Sequence, residues 1–323
     1  MSRAEQSRAA SCAEIPVIAV IMSTYNGEKY LAEQIDTILA QEGVNIELYI
    51  RDDGSTDSTR NILTEYAHTH NNIHLDFGSN IGVCRSFIQE LISAPEYEYY
   101  AFSDQDDYWY PEKLFQAVCL VKQKELETGG IIPVLYYSNV YATDEKLRIV
   151  RKKSKHKRLQ NLACATLFRC IGGCTMLMNS KAKHLMKPSN LSNDNLMLHN
   201  HDSIIASVVY ALGGIVICDP GAYMLYRIHG HNTSGATIGM ISRMKSRLRG
   251  LKKYKGCEPK IARAILDVYG DSVVDDARDT LETIAGYKDK LSLRLKIVFS
   301  PKFRTGDLRL TLYCKFKALF GLL

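Results

Sequence analysis

Val17-Ile18-Ala19-Val20-Ile21-Met22-Ser23-Thr24-Tyr25-Asn26-Gly27 is the stretch whose reading decides the fold. The apolar run Val17 to Met22 reads as a strand buried in a parallel sheet, and the polar turn Ser23 to Gly27 ends it. Tyr30, Leu31, Ile35, Ile38 and Leu39 then recur at near-helical spacing. The same unit repeats outward along the chain. Strand Ile46 to Ile50 enters Asp52-Asp53-Gly54-Ser55-Thr56-Asp57, where Ser55 or Thr56 caps a helix to about His68. Strand Ile73 to Phe77 turns at Gly78-Ser79-Asn80 into a helix, Val83 to Ile92. Strand Tyr97 to Phe102 runs into Ser103-Asp104-Gln105-Asp106-Asp107, and Pro111 sits where a helix should open. This alternation predicts a parallel sheet with helices on its faces.

The second half is less regular. Val134 to Val140 reads as strand, Arg151 to Arg158 as a basic loop, and Gly172-Gly173 as a turn into a strand through Met178. After Asp202 the pattern gives a buried helix, a Gly213-Gly214 turn, a short strand Ile215 to Cys218, and a return strand ending in Tyr226-Arg227-Ile228-His229-Gly230-His231-Asn232. From Met240 onward it is helical and basic. Three regions follow: a flexible segment 1–14, a catalytic domain 15–238, and a basic helical region 239–323.

With 323 residues, 46% apolar and 24% charged, the chain excludes disorder, collagen and coiled coil, and it can bury a sizeable core. The net charge of +6 conceals an asymmetry: residues 241–323 hold 19 Lys and Arg against 9 Asp and Glu, leaving 22 against 26 for the remainder. A basic partner surface therefore belongs at the C-terminal end. Nine cysteines without a C-x-x-C pair suit a reducing cytoplasm, and Cys164, Cys170 and Cys174 match no zinc module in their spacing. The first fourteen residues lack the apolar core of a secretion signal, and the apolar runs 15–22 and 203–218 are too short to cross a bilayer.

In an open parallel sheet, ligands bind beyond the C-terminal ends of the strands, and each polar cluster above occupies such an end. Thr24 and Asn26 follow the first strand, Asp52 and Asp53 the second, and Asp104, Asp106 and Asp107 the fourth. Crowded carboxylates need a compensating cation or hydrogen bonds to stay ionised. A hard divalent ion held by an Asp-x-Asp turn, with substrate phosphates completing its shell, answers both needs and predicts a nucleotide-diphosphate ligand. The chain carries no Walker loop and no G-x-G-x-x-G fingerprint.

Ile21-Met22-Ser23-Thr24-Tyr25-Asn26-Gly27, Asp52-Asp53-Gly54-Ser55-Thr56-Asp57 and Phe102-Ser103-Asp104-Gln105-Asp106-Asp107, in this order, resemble the inverting glycosyltransferases of family 2. Gly173-Cys174-Thr175-Met176, His201-Asp202 and Arg227-x-His229-x-x-Asn232-x-x-Gly235 are similar to the rhamnosyltransferase-like members. The resemblance spans roughly residues 16 to 235. It implies the GT-A type nucleotide-diphosphosugar transferase fold, a mostly parallel Rossmann-like α/β sheet, with the C-terminal helices as an extension. It implies that Ser23, Thr24, Tyr25, Asn26 and Asp53 contact the donor nucleoside, with Asp53 accepting from the pyrimidine N3–H. Asp104 would lie beside the ribose and metal, Asp106 would hold Mg²⁺ or Mn²⁺ against the diphosphate, and Arg227 and His229 would close over it. Asp202 would be the general base, its alternative being the N-cap of the following helix. The implied donor is dTDP-L-rhamnose or a UDP-hexose, and the implied acceptor a lipid-linked glycan of a bacterial surface polysaccharide. A non-catalytic nucleotide-sugar-binding subunit is the rival reading. A nucleotidyltransferase lacks its triphosphate loop here.

Two basic features remain. Arg151 to Arg158 has no interleaved aromatics, which excludes nucleic acid as the expected partner. In the tail, Leu312, Phe316, Leu319, Phe320 and Leu323 fall near one stripe with Lys315 and Lys317 off it. Such a stripe serves either an anionic membrane surface, with the protein peripheral at the inner face, or packing on the catalytic domain.

Overall fold

The computed structural model describes residues 15–151, 161–168, 171–198, 200–230, 256–306 and 308–323. The segments 1–14 and 231–255, most of the basic loop, and the 238/239 boundary lie outside them, as do His231, Asn232 and Gly235. The sheet contains β1 (Val17–Thr24), β2 (Asn45–Asp52), β3 (Ile73–Phe77), β4 (Tyr99–Ser103), β5 (Tyr108–Trp109), β6 (Val134–Thr143), β7 (Ile149–Arg151), β8 (Met176–Asn179) and β9 (Ile215–Arg227). Its order is β3-β2-β1-β4-β8-β6-β9-β5, with β7 paired to β6.

β3, β2, β1 and β4 run parallel to one another. The helices α1 (Leu31–Leu39), α2 (Thr59–Thr69) and α3 (Val83–Ser93) supply the crossovers. β8 is antiparallel to both β4 and β6, so the second half breaks the repeat that the first half sets. α4 (Lys113–Glu127) begins two residues after Pro111, which lies in the turn leading into it. β9 is one strand through Arg227, where the sequence suggests two, because Asp219-Pro220-Gly221 is absorbed at register shifts against β6. The short helix α5 (Leu162–Leu167) and the two-residue β5 carry no pattern long enough to read from sequence.

Alternation along β1 divides the core in two. Ile18, Val20 and Met22 face Leu31, Ile35, Ile38 and Leu63 together with Leu114 and Val118 of α4. Ala19 and Ile21 face Phe87, Leu91 and the helix α6 (His201–Ala211). That second layer continues into the C-terminal helices α7 (Cys257–Tyr269), α8 (Asp275–Gly286), α9 (Leu291–Phe299) and α10 (Leu308–Leu319). Ile261, Ile265, Leu281, Ile284 and Tyr287 share one apolar cluster with the sheet face. Removing a wholly buried leucine leaves a cavity that costs about 2–5 kcal/mol. Leu281→Ala, 0% exposed, is therefore expected to lower the stability of the whole protein by that amount in a single chemical-denaturation transition. A separate early transition, with the nucleotide-cleft fluorescence unchanged, would mean that the helices are cored independently.

Candidate active site

The strand ends converge as topology requires. Ser23, Tyr25, Asn26, Asp53, Asp104, Asp106 and His229 line one cleft of about 940 Å³, together with Tyr30, Asn80, Phe87, Gln105 and Glu145.

The first loop is stitched to its neighbours by hydrogen bonds that explain its composition. Asn26, at φ 48°, takes the left-handed conformation that Asn tolerates better than most residues. Its amide donates to Ser55 Oγ (2.9 Å), and its Oδ1 accepts from the Thr56 amide (2.9 Å). Gln105 clamps the loop from the other side: the Tyr25 amide donates to Gln105 Oε1 (2.9 Å), and Gln105 Nε2 donates to the Tyr25 carbonyl (3.1 Å). A Cβ on Gly27 would meet the Gln105 amide and push it from its place on Tyr25, so glycine here leaves room for the clamp. Ser23 Oγ donates to Ser86 Oγ (2.6 Å) at the cleft wall. Thr24 does not reach the cleft; its side chain is wholly buried and donates to Asp52 Oδ2 (3.2 Å), making it a support of the second loop instead of a donor contact.

Asp52 is likewise internal. Burial alone would raise its carboxyl, but hydrogen bonds from Ser55 and Arg60 outweigh that and hold it below the usual carboxylate range. Asp53 faces the cleft with both oxygens fixed. Oδ1 accepts from Arg51 Nη1 (2.6 Å) and the Ile81 amide (2.9 Å), and Oδ2 accepts from the Gly82 amide (2.9 Å). Arg51 and Asp53 are 3% and 2% exposed, so the pair is desolvated and rigid.

Asp104, Asp106 and Asp107 supply the concentrated negative charge. Burial, and then the charges of Asp106 and Asp202, push Asp104 up to about 7 although part of its surface opens on the cleft. Burial, and then the charges of Asp106 and Asp104, hold Asp107 well above the ordinary carboxylate value. Asp107 Oδ1 accepts from the Arg227 amide (3.1 Å), while its Oδ2 is buried with no hydrogen-bond partner. Asp106 Oδ2 lies 2.6 Å from His229 Nε2. Repelling carboxylates suit a hard divalent cation, and Asp104 and Asp106, with His229 beside them, are the two that border the cleft and could hold it; the orphaned oxygen belongs to Asp107, which does not border the cleft. Among the described residues Asp104, Asp107 and Cys174 also place possible ligand atoms within 4.8 Å of one another. The Cys174 thiol is driven up by burial and by Asp107 and Asp104; neutral, it is a poor ligand for such an ion.

One expectation changes here. Arg227, expected to close over the diphosphate, is 3% exposed and committed inside the protein. Its guanidinium donates to the Asp106 carbonyl (2.9 Å) and the Glu145 carbonyl (2.6 Å), pairs with Glu33, and sits 4.4 Å from the centre of the Tyr30 ring. It braces the metal loop. His201 is not at the surface: it lies between Phe87 and Phe102, with ring centres 4.1 and 5.1 Å away, and burial pushes it down to about 3. A Cβ on Gly173 would strike its ring, so the glycine turn there makes room for His201. Asp202 stands in the first turn of α6, whose N-cap is Asn200. It is 5% exposed, its Oδ1 accepts from the Ser203 amide (2.5 Å), and its charge is felt by Asp104, but it does not form part of the cleft wall.

Gln105, Tyr30 and Glu145 of the cleft, and Arg51 paired with Asp53, are the residues that motif reading passes over. Tyr30 packs 5.3 Å from His229 and donates to Glu145 Oε2 (3.0 Å), which also pairs with Lys29 (2.6 Å) at the tip of the β6–β7 hairpin. A search for carboxylates skips Gln105 between its two aspartates, and long-range partners such as Glu145 leave no local pattern.

An acid-walled cleft at the carboxyl ends of a mostly parallel sheet, flanked by a mixed antiparallel half, defines a GT-A type transferase fold. The profile "Glycosyl transferase family 2" matches residues 19–186, and the chain belongs to that family. The dTDP-rhamnosyl transferase RfbG of Shigella flexneri is 31% identical over 269 residues, covering 79% of this chain and 87% of that one. The putative teichuronic acid biosynthesis glycosyltransferase TuaG of Bacillus subtilis is 34% identical over 102 residues, 31% of this chain and 39% of that one. Among solved structures, S. aureus TarS 1–349 in complex with UDP-GlcNAc aligns with a TM-score of 0.56 at 18% identity, covering 88% of this chain and 73% of that one. The mannosyltransferase PcManGT of Pyrobaculum calidifontis, in complex with GDP-Man and Mn²⁺, aligns at 0.50 and 16% identity over 98% and 93% of the two chains.

Removing Arg51 strands the buried Asp53 charge, a change that typically costs about 3–5 kcal/mol. Arg51→Ala is expected to lose that much stability in denaturant titration, and Arg51→Lys to recover part of it; a shift below about 1 kcal/mol would mean Asp53 has another counter-charge.

Proposed function

We propose that the protein moves a sugar, most simply L-rhamnose from dTDP-L-rhamnose, with inversion onto a hydroxyl of a growing, lipid-linked bacterial surface polysaccharide at the cytoplasmic side of the membrane. The observation that carries this reading is the meeting of Asp53, Asp104, Asp106 and His229 in one cleft whose volume suits a nucleotide-sugar. The rhamnosyl donor is supported by RfbG, most of whose length this chain covers. A UDP-hexose is the second reading, supported by the sugar-nucleotide bound to TarS.

In this proposal the nucleoside lies against Ser23, Tyr25 and Asp53. Asp53 suits a pyrimidine N3–H because Arg51 and two backbone amides fix the orientation of its carboxylate. Asp104 and Asp106 hold Mg²⁺ or Mn²⁺, the latter present in the PcManGT structure. The cation would supply charge stabilisation for the departing diphosphate. His229 shares the position of Asp106 and adds a ligand or a proton donor on the leaving-group side. Asp202 accepts the proton of the attacking hydroxyl, a role that rests on the family resemblance of His201-Asp202; it lies behind the cleft wall, near enough to Asp104 for its charge to be felt there. Arg227 and Tyr30 act by holding the Asp106 and His229 geometry.

The test is a donor screen read by nucleoside-diphosphate release, with and without EDTA. Release from dTDP-L-rhamnose that EDTA abolishes is expected; no release from any sugar nucleotide would favour a binding subunit. Asp106→Asn is expected to lower turnover by roughly 10²-fold or more. Asp202→Asn is expected to lower it by about 10²–10⁴-fold while donor affinity, measured by calorimetry, stays within about twofold. Unchanged turnover in the latter removes Asp202 as base.

A further inference from the structure

α9 and α10 are amphipathic in the wrong sense for helices packed on a soluble body. α10 turns small side chains inward, with Thr311, Cys314 and Ala318 buried, and it points its large ones out. Leu308, Leu312, Phe316 and Phe320 recur every four residues at 73%, 58%, 56% and 59% exposure, joined by Tyr313 and Leu319. Phe316 and Phe320 pack ring to ring, 4.7 Å apart, in the open. On α9 only Ile297 is buried, while Leu291, Leu295 and Phe299 form a second exposed row at the same spacing. Of the tail stripe read from sequence, Leu323 alone turns inward. An apolar face of this extent marks an interaction surface.

Charge says what covers it. Residues 288–323 carry nine Lys and Arg against two Asp. Lys288, Lys290, Arg304 and Arg309 are exposed, and none has a carboxylate partner among the described residues. Two copies of this chain meeting through the same face would set these cations against one another. An anionic bilayer instead takes the apolar rows into its acyl boundary and the cations at its headgroups. No helix among the described residues is long and apolar enough to cross a membrane, so the contact is a surface one.

We propose that α9 and α10 form a membrane-docking face, with Leu291, Leu295, Phe299, Leu312, Phe316 and Phe320 entering the interface of an anionic bilayer. The face is separate from the cleft, and binding to it requires neither donor nor catalysis. The experiment is co-sedimentation of the full chain with phosphatidylglycerol–phosphatidylethanolamine vesicles and with phosphatidylcholine vesicles. Binding to the first, weakened by salt, and little to the second are expected. Phe316→Ser with Phe320→Ser should lower partitioning at least tenfold, since both side chains are exposed and their loss leaves the core intact. Lys290→Gln with Arg309→Gln should lower it about thirtyfold at low salt. Unchanged thermal unfolding and dTDP affinity show that the variants are folded. Wild-type protein that stays in the supernatant with the anionic vesicles overturns the proposal, as does a double-phenylalanine variant that binds like wild type. Self-association in sedimentation velocity that the same variant abolishes overturns it too, and gives the face to a second copy.

Discussion

Like charges forced together at one end of the sheet are the constraint on which the rest of this structure depends. Asp104, Asp106 and Asp107 lie within four residues of one loop, with Asp202 close enough to add to the repulsion on Asp104. The protein neutralises them only in part: His229 Nε2 lies 2.6 Å from Asp106 Oδ2, and Lys113, which feels the charge of Asp107, is itself pushed down to about 7 by burial. The nearby guanidinium of Arg227 is turned to backbone carbonyls and to Glu33, and it stiffens the loop without pairing with its carboxylates. Asp53 is treated in the opposite way: Arg51 pairs with it directly, in a site closed to water. One carboxylate is thus held in a fixed orientation by a paired guanidinium, while the others crowd together in a way that a divalent cation would relieve.

Rigidity follows from how the loops are tied. Gln105 pairs with the Tyr25 backbone much as a neighbouring strand would, and Asn26 and Ser55 bind the first loop to the second. The hairpin tip at Glu145 reaches across to Lys29 and Tyr30. Three separate strand ends therefore move as one wall, which is what a site needs if its charges are to be aligned before substrate arrives.

The parallel half of the fold was legible because each β–loop–α unit carries its own local signals: an apolar run, a polar turn, a helical period. Ile73 to Phe77 and the helices after Tyr30, Asp57 and Gly82 lie where these signals put them. The antiparallel half was not, since β8 between β4 and β6 and the single long β9 depend on pairings made far along the chain. At the site, residue type predicted which loops matter and less well which side chains face the cleft. Thr24 and Arg227 belong to the right loops, yet each is spent on a partner that a linear reading cannot see: Asp52 for the first, Glu33 and two carbonyls for the second. Orientation separates Asp52 from Asp53 in the same way: both are buried, but only Asp53 borders the cleft, although the two are adjacent and chemically identical. The tail posed the converse problem. Its stripe was visible in sequence, but its direction depended on small residues that fit against the body better than the large ones do.

The measurement that bears most directly on this account is Mn²⁺ binding followed by electron paramagnetic resonance, in the presence of dTDP and without any sugar. The free-ion signal is expected to disappear as wild-type protein is added in stoichiometric amount, and to persist with Asp106→Asn at the same concentration. A free-ion signal that wild-type protein leaves intact, or that the variant removes equally well, would contradict the claim that these aspartates exist to hold a divalent cation.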